Sequence, residues 1–373
     1  MKKIISCLLV LLSIIICCVL LASCNYDSSE NFEFGLKKDD TYYITGVLSK
    51  DIESVIIPQS YNGKKNSGIY DGAFQDCSKL KSVIIPEGVI ELGDSVFENC
   101  SSLETIKIPN TISKIGNDAF KNCNALNYNI YQNGYYLGND ENKFVALVKG
   151  IENNVVSFLA NDNCSVICYS ALRSFSRLKE INMPYSIKDI GTFAFGGCTS
   201  LETFTVPNFV TEFSFLWFED CDSLKKVTIS ANVETVYMPN YDFYCKNLSE
   251  FEVYSTNSRF TARDGVLYSK DLKTLLSYPA GKTGSSFSIP SYVECLATYA
   301  FNGCNKLTSI SMGRNVRTLR SSSVINCNNL HTLNFGGTTS EWIDLDNANL
   351  GWDHSFVVNK VNCSNDTLSR SRA

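Results

Sequence analysis

The chain writes one line again and again. "AFQDCSKLKSVIIP" at 73–86 returns as "VFENCSSLETIKIP" at 96–109, as "AFGGCTSLETFTVP" at 194–207 and as "AFNGCNKLTSISM" at 300–312. Cysteines at 77, 100 and 123, then 198 and 221, then 304 and 327, mark a step of 23 residues, and Phe175 fills the same slot one step before Cys198. Self-similarity at a fixed short period constrains a fold more than any other feature, because each unit is too small to bury its own apolar face and must stack on copies of itself.

The full repeat reads L-x-x-V/I-x-I-P-x-x-V-x-x-I-G-x-x-A-F-x-x-C. Its first part alternates apolar and polar residues, as in "LETIKI" and "LETFTV", which is the pattern of a short half-buried strand. Pro86, Pro109, Pro184, Pro207 and Pro290 end that strand, since proline has no N–H for a ladder. The second part is too short for an independent helix and predicts one tight helical turn. Asp71, Asp94, Asn117, Thr192, Thr298 and Ser321 stand at its N-cap position. Asp76, Asn99, Asn122, Gly197, Asp220, Gly303 and Asn326 precede the repeated cysteine, and these residue types tolerate a left-handed helix ending. Strand plus turn in each coil predicts an α/β repeat solenoid, with a parallel sheet on one face and short helical turns opposite.

This register resembles the BspA-type leucine-rich repeats of bacterial surface proteins over roughly residues 50–335, where ten or eleven coils are expected. The repeat region is set at 42–335. Two stretches near 127–154 and 255–286 leave the register and read as hairpins inserted into the solenoid, as occurs in that family. Residues 336–363, with Trp342 and Trp352, are expected to cap the open end, and 364–373 to be loose.

The start of the chain belongs to export. "MKK" precedes an apolar run ending in "LASC", so residues 1–23 read as a signal peptide. Leu21–Ala22–Ser23–Cys24 resembles a bacterial lipobox, which implies cleavage before Cys24 and lipid on its sulfur and amino group. An ordinary signal peptide or a membrane anchor is the alternative. Asn25 after the cysteine favours the outer membrane or cell surface under the same family rules. Residues 24–41 read as a lipidated tether.

Composition removes several functions. The net charge is −5 and no basic field is available for nucleic acid. Only His331 and His354 are present, too few for a histidine metal centre or a triad, and no tight C-x-x-C occurs among the 16 cysteines. No cofactor and no metal is expected, and catalysis has no support. The repeated cysteine reads as a buried thiol in a ladder, a small hydrophobe, rather than a disulfide or zinc ligand. The outward strand positions form the candidate binding face: Thr105, Lys107, Asn182, Thr203, Thr205, Lys226, Thr228, Glu250, Glu252, Ser309 and Ser311. With the family resemblance, they suggest a non-enzymatic adhesion protein whose partners are matrix proteins, host-cell surfaces or other bacteria. The alternatives are a structural cell-envelope protein and a carbohydrate-binding module.

Overall fold

The computed structural model describes residues 28–238, 245–349 and 360–369. The signal segment, Cys24 and Trp352 lie outside the described residues. The chain winds into a β-solenoid of about 13 turns, mostly strand and with little helix. This exceeds the ten or eleven coils counted from the repeat, because the stretches that break the register also occupy places in the stack.

Each coil contains two strands, not one. The "x-V-x" segment pairs in parallel with the coils before and after, as in Ser54–Ile56, Ser82–Ile84 and Thr105–Lys107. After the proline corner, the "V-x-x-I" segment forms a second, shorter strand, and Gly68, Glu91 and Lys114 stand opposite one another in a second parallel ladder. Gly93 and Gly116 follow this strand because coils meet there too closely for a side chain. A Cβ on Gly93 would lie 2.5 Å from the Asp71 backbone nitrogen, and one on Gly116 2.4 Å from that of Asp94.

The third side corrects the expected helical turn. "AF-x-x-C" closes by a tight backbone bond, Cys77 N–H to Phe74 C=O (3.2 Å), and is then bonded to the next coil, Phe74 N–H to Val96 C=O and Asp76 N–H to Glu98 C=O, both 2.9 Å. Turns laid edge to edge in this way satisfy their backbone groups between coils, so no helix is required. Asp71 therefore does not cap its own turn. Its carboxylate accepts the Asp94 N–H of the following coil at 2.8 Å, and Asp94 accepts Asn117 N–H at 2.6 Å. Among the described residues the α-helix is Thr339–Asn349, with 3-10 turns at Ser28–Asn31 and Phe215–Phe218.

The residue before each repeated cysteine is left-handed: Asp76, Asn99, Asn122, Gly197, Asp220, Gly303 and Asn326 all have positive φ. Their amides also stack, Asn99 Nδ2 donating to Asp76 Oδ1 (2.8 Å) and Asn122 Nδ2 to Asn99 Oδ1 (2.7 Å). The repeat cysteines are free and buried. Thiols after the first reach back to a carbonyl of the preceding coil: Cys100 to Phe74 (3.1 Å), Cys123 to Phe97 (3.0 Å), Cys221 to Phe195 (3.1 Å) and Cys327 to Phe301 (2.8 Å). The slot thus holds a small hydrophobe with a weak donor. Burial pushes the Cys123 and Cys198 thiols up to about 12, which keeps them protonated at neutral pH.

The stack is divided into three cores by antiparallel sheets, and this defines the two stretches that leave the repeat. Gly134–Leu137 runs antiparallel to Ala146–Gly150, whose Ala146 and Leu147 then pair in parallel with Val166 and Ile167. One face of this sheet, with Leu137, Ala146 and Val166, closes the first core against Ile115 and Leu126. The other face, with Tyr136, Leu147 and Ile167, opens the second core against Phe158 and Leu172. Val266–Ser269 and Thr274–Ser277 repeat the device: Leu267 faces the second core, while Val266, Tyr268 and Leu275 start the third.

Both ends of the described chain are more ordered than their sequence suggests. Phe32–Leu36, within the expected tether, pairs with Tyr42–Val47, and Phe32 is buried in the first core. Thr367–Ser369, within the expected loose tail, pairs with Lys360–Asn362, which itself extends the ladder beyond Thr332–Phe335. Trp342 is buried against Phe335, ring centroids 5.5 Å apart.

Candidate binding face

On the first ladder the central residue of each strand points into the core and its two neighbours point out, so outward side chains form rows one coil apart. The face is not continuous. It falls into four segments: Ser54–Ile56 to Thr105–Lys107, Ser157–Leu159 with Glu180–Asn182, Thr203–Thr205 to Glu250–Val253, and Ser286–Ser288 to Thr367–Ser369.

The third segment gathers six of the candidate residues. Thr203, Lys226 and Glu250 stand opposite one another in one row, and Thr205, Thr228 and Glu252 in the next. Lys226 Nζ meets Glu252 Oε1 at 2.5 Å, and this carboxylate holds the ammonium above its usual pKa range. Thr228 is only 9% exposed and donates to Glu252 Oε2 at 3.4 Å, so it supports the face from below and is not offered to a partner.

The remaining candidates lie elsewhere. Thr105 donates to Ser82 Oγ at 3.1 Å, and Lys107 pairs with Asp140 at 2.6 Å in the first segment. Asn182 stands on the second. Ser309 and Ser311 are half-buried on the fourth, where Asn334 Nδ2 donates to Ser311 Oγ (3.1 Å) and Asn362 Nδ2 to Asn334 Oδ1 (2.7 Å). Asn362 was missed because nothing before it in the sequence carries the repeat.

The larger hollows lie on the second ladder, which the repeat had disguised as a turn. A cleft of about 750 Å³ is lined by Lys37, Lys38, Tyr43, Tyr70, Glu91 and Lys114, with Lys37 and Glu91 paired at 3.3 Å. A second, of about 560 Å³, runs past Asp189, Glu212, Thr235 and Tyr237. Asp189 stands beside Val166 on the sheet that closes the first core. Burial lifts its carboxyl to about 6, opposed by the nearby Lys114 charge.

One coil breaks both ladders at once. Where a regular coil has Ile115-Gly116-Asn117-Asp118-Ala119, this one has Phe213-Ser214-Phe215-Leu216-Trp217. Phe213, Phe215 and Trp217 are buried with Phe204 and Phe218, the Phe204–Phe218 centroids being 4.8 Å apart and Phe213–Trp217 5.4 Å. That bulk cannot fit at one-coil spacing. Glu180–Asn182 consequently makes no ladder with Thr203–Thr205, nor Asp189–Ile190 with Glu212–Ser214. The turn column stays intact, with Phe193 N–H to Leu216 C=O at 2.9 Å and Phe195 N–H to Trp217 C=O at 3.0 Å. The coils are hinged there and spread apart on the other two sides.

Against the geometry of paired strands, proline corners and stacked turns, the family model for the BspA type leucine rich repeat region matches in six copies, over residues 48–141, 152–275 and 280–344. The chain belongs to the BspA-type leucine-rich repeat family. A search of curated proteins found no match. Among solved structures, this BspA-type chain is similar to a leucine rich cell surface protein of Faecalibacterium prausnitzii, at 24% identity over 81% of this chain and 74% of that one, with a TM-score of 0.37. It is similar to the Treponema pallidum leucine rich repeat protein at 23% identity over 56% of this chain and 84% of that one, with a TM-score of 0.32. The pneumococcal vaccine antigen PcpA is similar at 16% identity, covering 82% and 80% of the two chains, with a TM-score of 0.29. Among the described residues no group of three or more His, Cys, Asp or Glu side chains could hold a metal ion, and no helix is long and apolar enough to cross a membrane.

Proposed function

We propose that this BspA-type chain is a surface-anchored, non-enzymatic binding or adhesion protein. The observation that carries the reading is the patch formed by Thr203–Thr205, Lys226–Ile229 and Glu250–Val253, where exposed Thr203, Thr205, Glu250 and Glu252 are held at fixed spacing by a hydrogen-bonded ladder. Preorganised surface of this kind binds without an ordering cost, and solenoids characteristically use such extended faces for partners. Protein partners on extracellular matrix, host cells or other bacteria fit the family to which the chain belongs. The lipobox reading of Cys24 supports retention at the outer membrane or cell surface, since two or more acyl chains give stable anchoring where one does not. The neutral-to-acidic charge favours protein ligands over nucleic acid.

Immobilised matrix proteins and epithelial cells, titrated with the full chain, test this reading. Thr203→Lys/Thr205→Lys/Glu250→Lys, three exposed positions, is expected to abolish saturable binding. Binding unchanged in that variant would place the site elsewhere on the solenoid. Absence of binding by the wild type would favour a structural role in the envelope. Cys24→Ala is expected to move the protein from the membrane fraction to the soluble one.

A further inference from the structure

The break in the first ladder opens a cleft of about 490 Å³ between the Glu180–Asn182 and Thr203–Thr205 strands. Asn182, Thr205 and Asn208 line it as exposed polar groups and Met183, Tyr185 and Tyr254 contribute apolar surface, while Ser230 is buried with its hydroxyl donated to the Pro207 carbonyl at 3.2 Å. We propose that this cleft is a binding site for a neutral oligosaccharide. The proposal goes beyond the protein-binding reading above, adding a non-protein ligand at a cleft beside the same face.

Three features point to that class. First, Tyr185 is 83% exposed, the most exposed large hydrophobic side chain among the described residues, and Tyr254 at 46% and Phe209, next to the lining Asn208, at 59% stand near it. Among the described residues neither Tyr185 nor Tyr254 packs on another ring or engages its hydroxyl. Large exposed apolar surface on a soluble fold marks an interaction site, and rings with an apolar face and a polar tip suit a ligand that is itself apolar on its C–H faces and polar at its edges.

Second, among the described residues no charged side chain lines the cleft, although 19% of the chain is charged. A phosphate, a sulfated glycan or an acidic peptide would find no counter-charge. Hydroxyl and amide groups, each able to donate and accept, match the hydroxyls of a neutral sugar.

Third, the opening is a V. The two coils remain bonded along the turn column, Gly197 N–H to Glu219 C=O at 2.7 Å, while their strands separate. An added peptide strand would need a ladder spacing of about 4.7–4.9 Å on each side, which a hinged gap supplies only at its mouth. A ligand resting across the rim, against exposed Tyr185 and Tyr254, fits this shape better than one threaded between the strands. The aromatic coil that spreads the ladders is thus the element that builds the site.

The test uses the full chain on an array of neutral, sialylated and sulfated oligosaccharides, followed by calorimetric titration of the best neutral ligand. Tyr185→Ala and Tyr254→Ala, both at exposed positions, are each expected to weaken binding about tenfold or more, as truncation of an aromatic anchor does. Tyr237→Ala, on the second ladder, is expected to leave affinity unchanged. Failure to bind any neutral saccharide at millimolar concentration would overturn the proposal, as would binding equal in all three variants, or a preference for charged glycans. Peptide binding at this cleft, blocked by Tyr185→Ala, would overturn the ligand class. Because adhesion is read from wild-type binding to matrix proteins and cells, a chain that adheres but binds no saccharide loses this inference alone.

Discussion

The coil at 105–123 and the coil at 203–221 follow the same path and share the same cysteine step, yet the first continues both ladders from the coil before it and the second breaks them. In the first, Ile106, Ile115 and Ala119 fill the interior, and Gly116 lets the backbone of Asp94 approach within a Cβ's reach. In the second, Phe204, Phe213 and Trp217 occupy the equivalent places, the glycine is Ser214, and the turn becomes a 3-10 helix whose Leu216 N–H is capped by Ser214 Oγ at 3.2 Å. The difference teaches that side-chain volume, not hydrogen-bonding potential, decides where this solenoid stays closed. Backbone groups able to continue both ladders are present in the aromatic coil, but the rings hold them apart.

The comparison is broken most severely by Phe97→Ala. Phe97 is fully buried between Phe74 and Phe120, with ring centroids 5.1 and 6.0 Å away, in tightly bonded coils that cannot relax. A loss of about 3–5 kcal/mol is expected by urea denaturation. Trp217→Ala should lie at or below the low end of that range, because the spread coils can collapse into the vacated space. A larger loss at Trp217 than at Phe97 would show that the aromatic coil is no looser than the regular one.

Asn99 sharpens the contrast at the turn column, which both coils share. Asn99→Ala removes the hydrogen bond that the Asn99 side-chain amide donates to Asp76 Oδ1 and places alanine at φ 63°, with an expected cost of about 1–2 kcal/mol. Asn99→Gly keeps the left-handed backbone and should cost less. Equal losses would assign the whole effect to the amide stack.

Asp189, at the seam between the first two cores, gives the smallest effect and a pH signature. Burial raises its folded-state carboxyl to about 6, above the ordinary aspartate range, so the folded protein holds this proton more tightly than the unfolded chain. Stability contributed by the group is therefore present at low pH, falls as pH rises from about 4 to about 6, and stays lower above that. Asp189→Asn should remove this dependence and raise Tm at pH 7 by a few °C, on the scale of ~1 kcal/mol. Thermal melts of both proteins between pH 4 and 8 check the sign.

Much of the coil was legible because its determinants sit within one repeat. The alternation of "LETIKI" is a local statement about a half-buried strand, and Asn99 or Gly197 before the cysteine is a local statement about φ. The second strand was not legible. "V-x-x-I-G" is too short to show alternation, and its pairing groups find partners only in neighbouring coils. For the same reason Asp71 and Asp94 were expected to cap their own turns, whereas each bonds a backbone N–H one coil later. Among the candidate binding residues, Thr203, Thr205 and Glu250 are exposed as their pattern implied, but Thr228 is covered, since burial depends on what the Glu252 side chain does across the ladder.

The period, the parallel stacking, the left-handed turn ends and the burial of the repeated cysteine could be read from the residues alone, because a chain that repeats every 23 residues meets the same neighbours in each coil and local chemistry is copied with it. Tertiary structure alone decided the three cores, the two-faced sheets at Gly134–Gly150 and Val266–Ser277, and the hinged break beside Tyr185. Those features depend on how the volume of one coil compares with the next and on which face of a strand another block covers. Neither quantity exists until the coils are stacked.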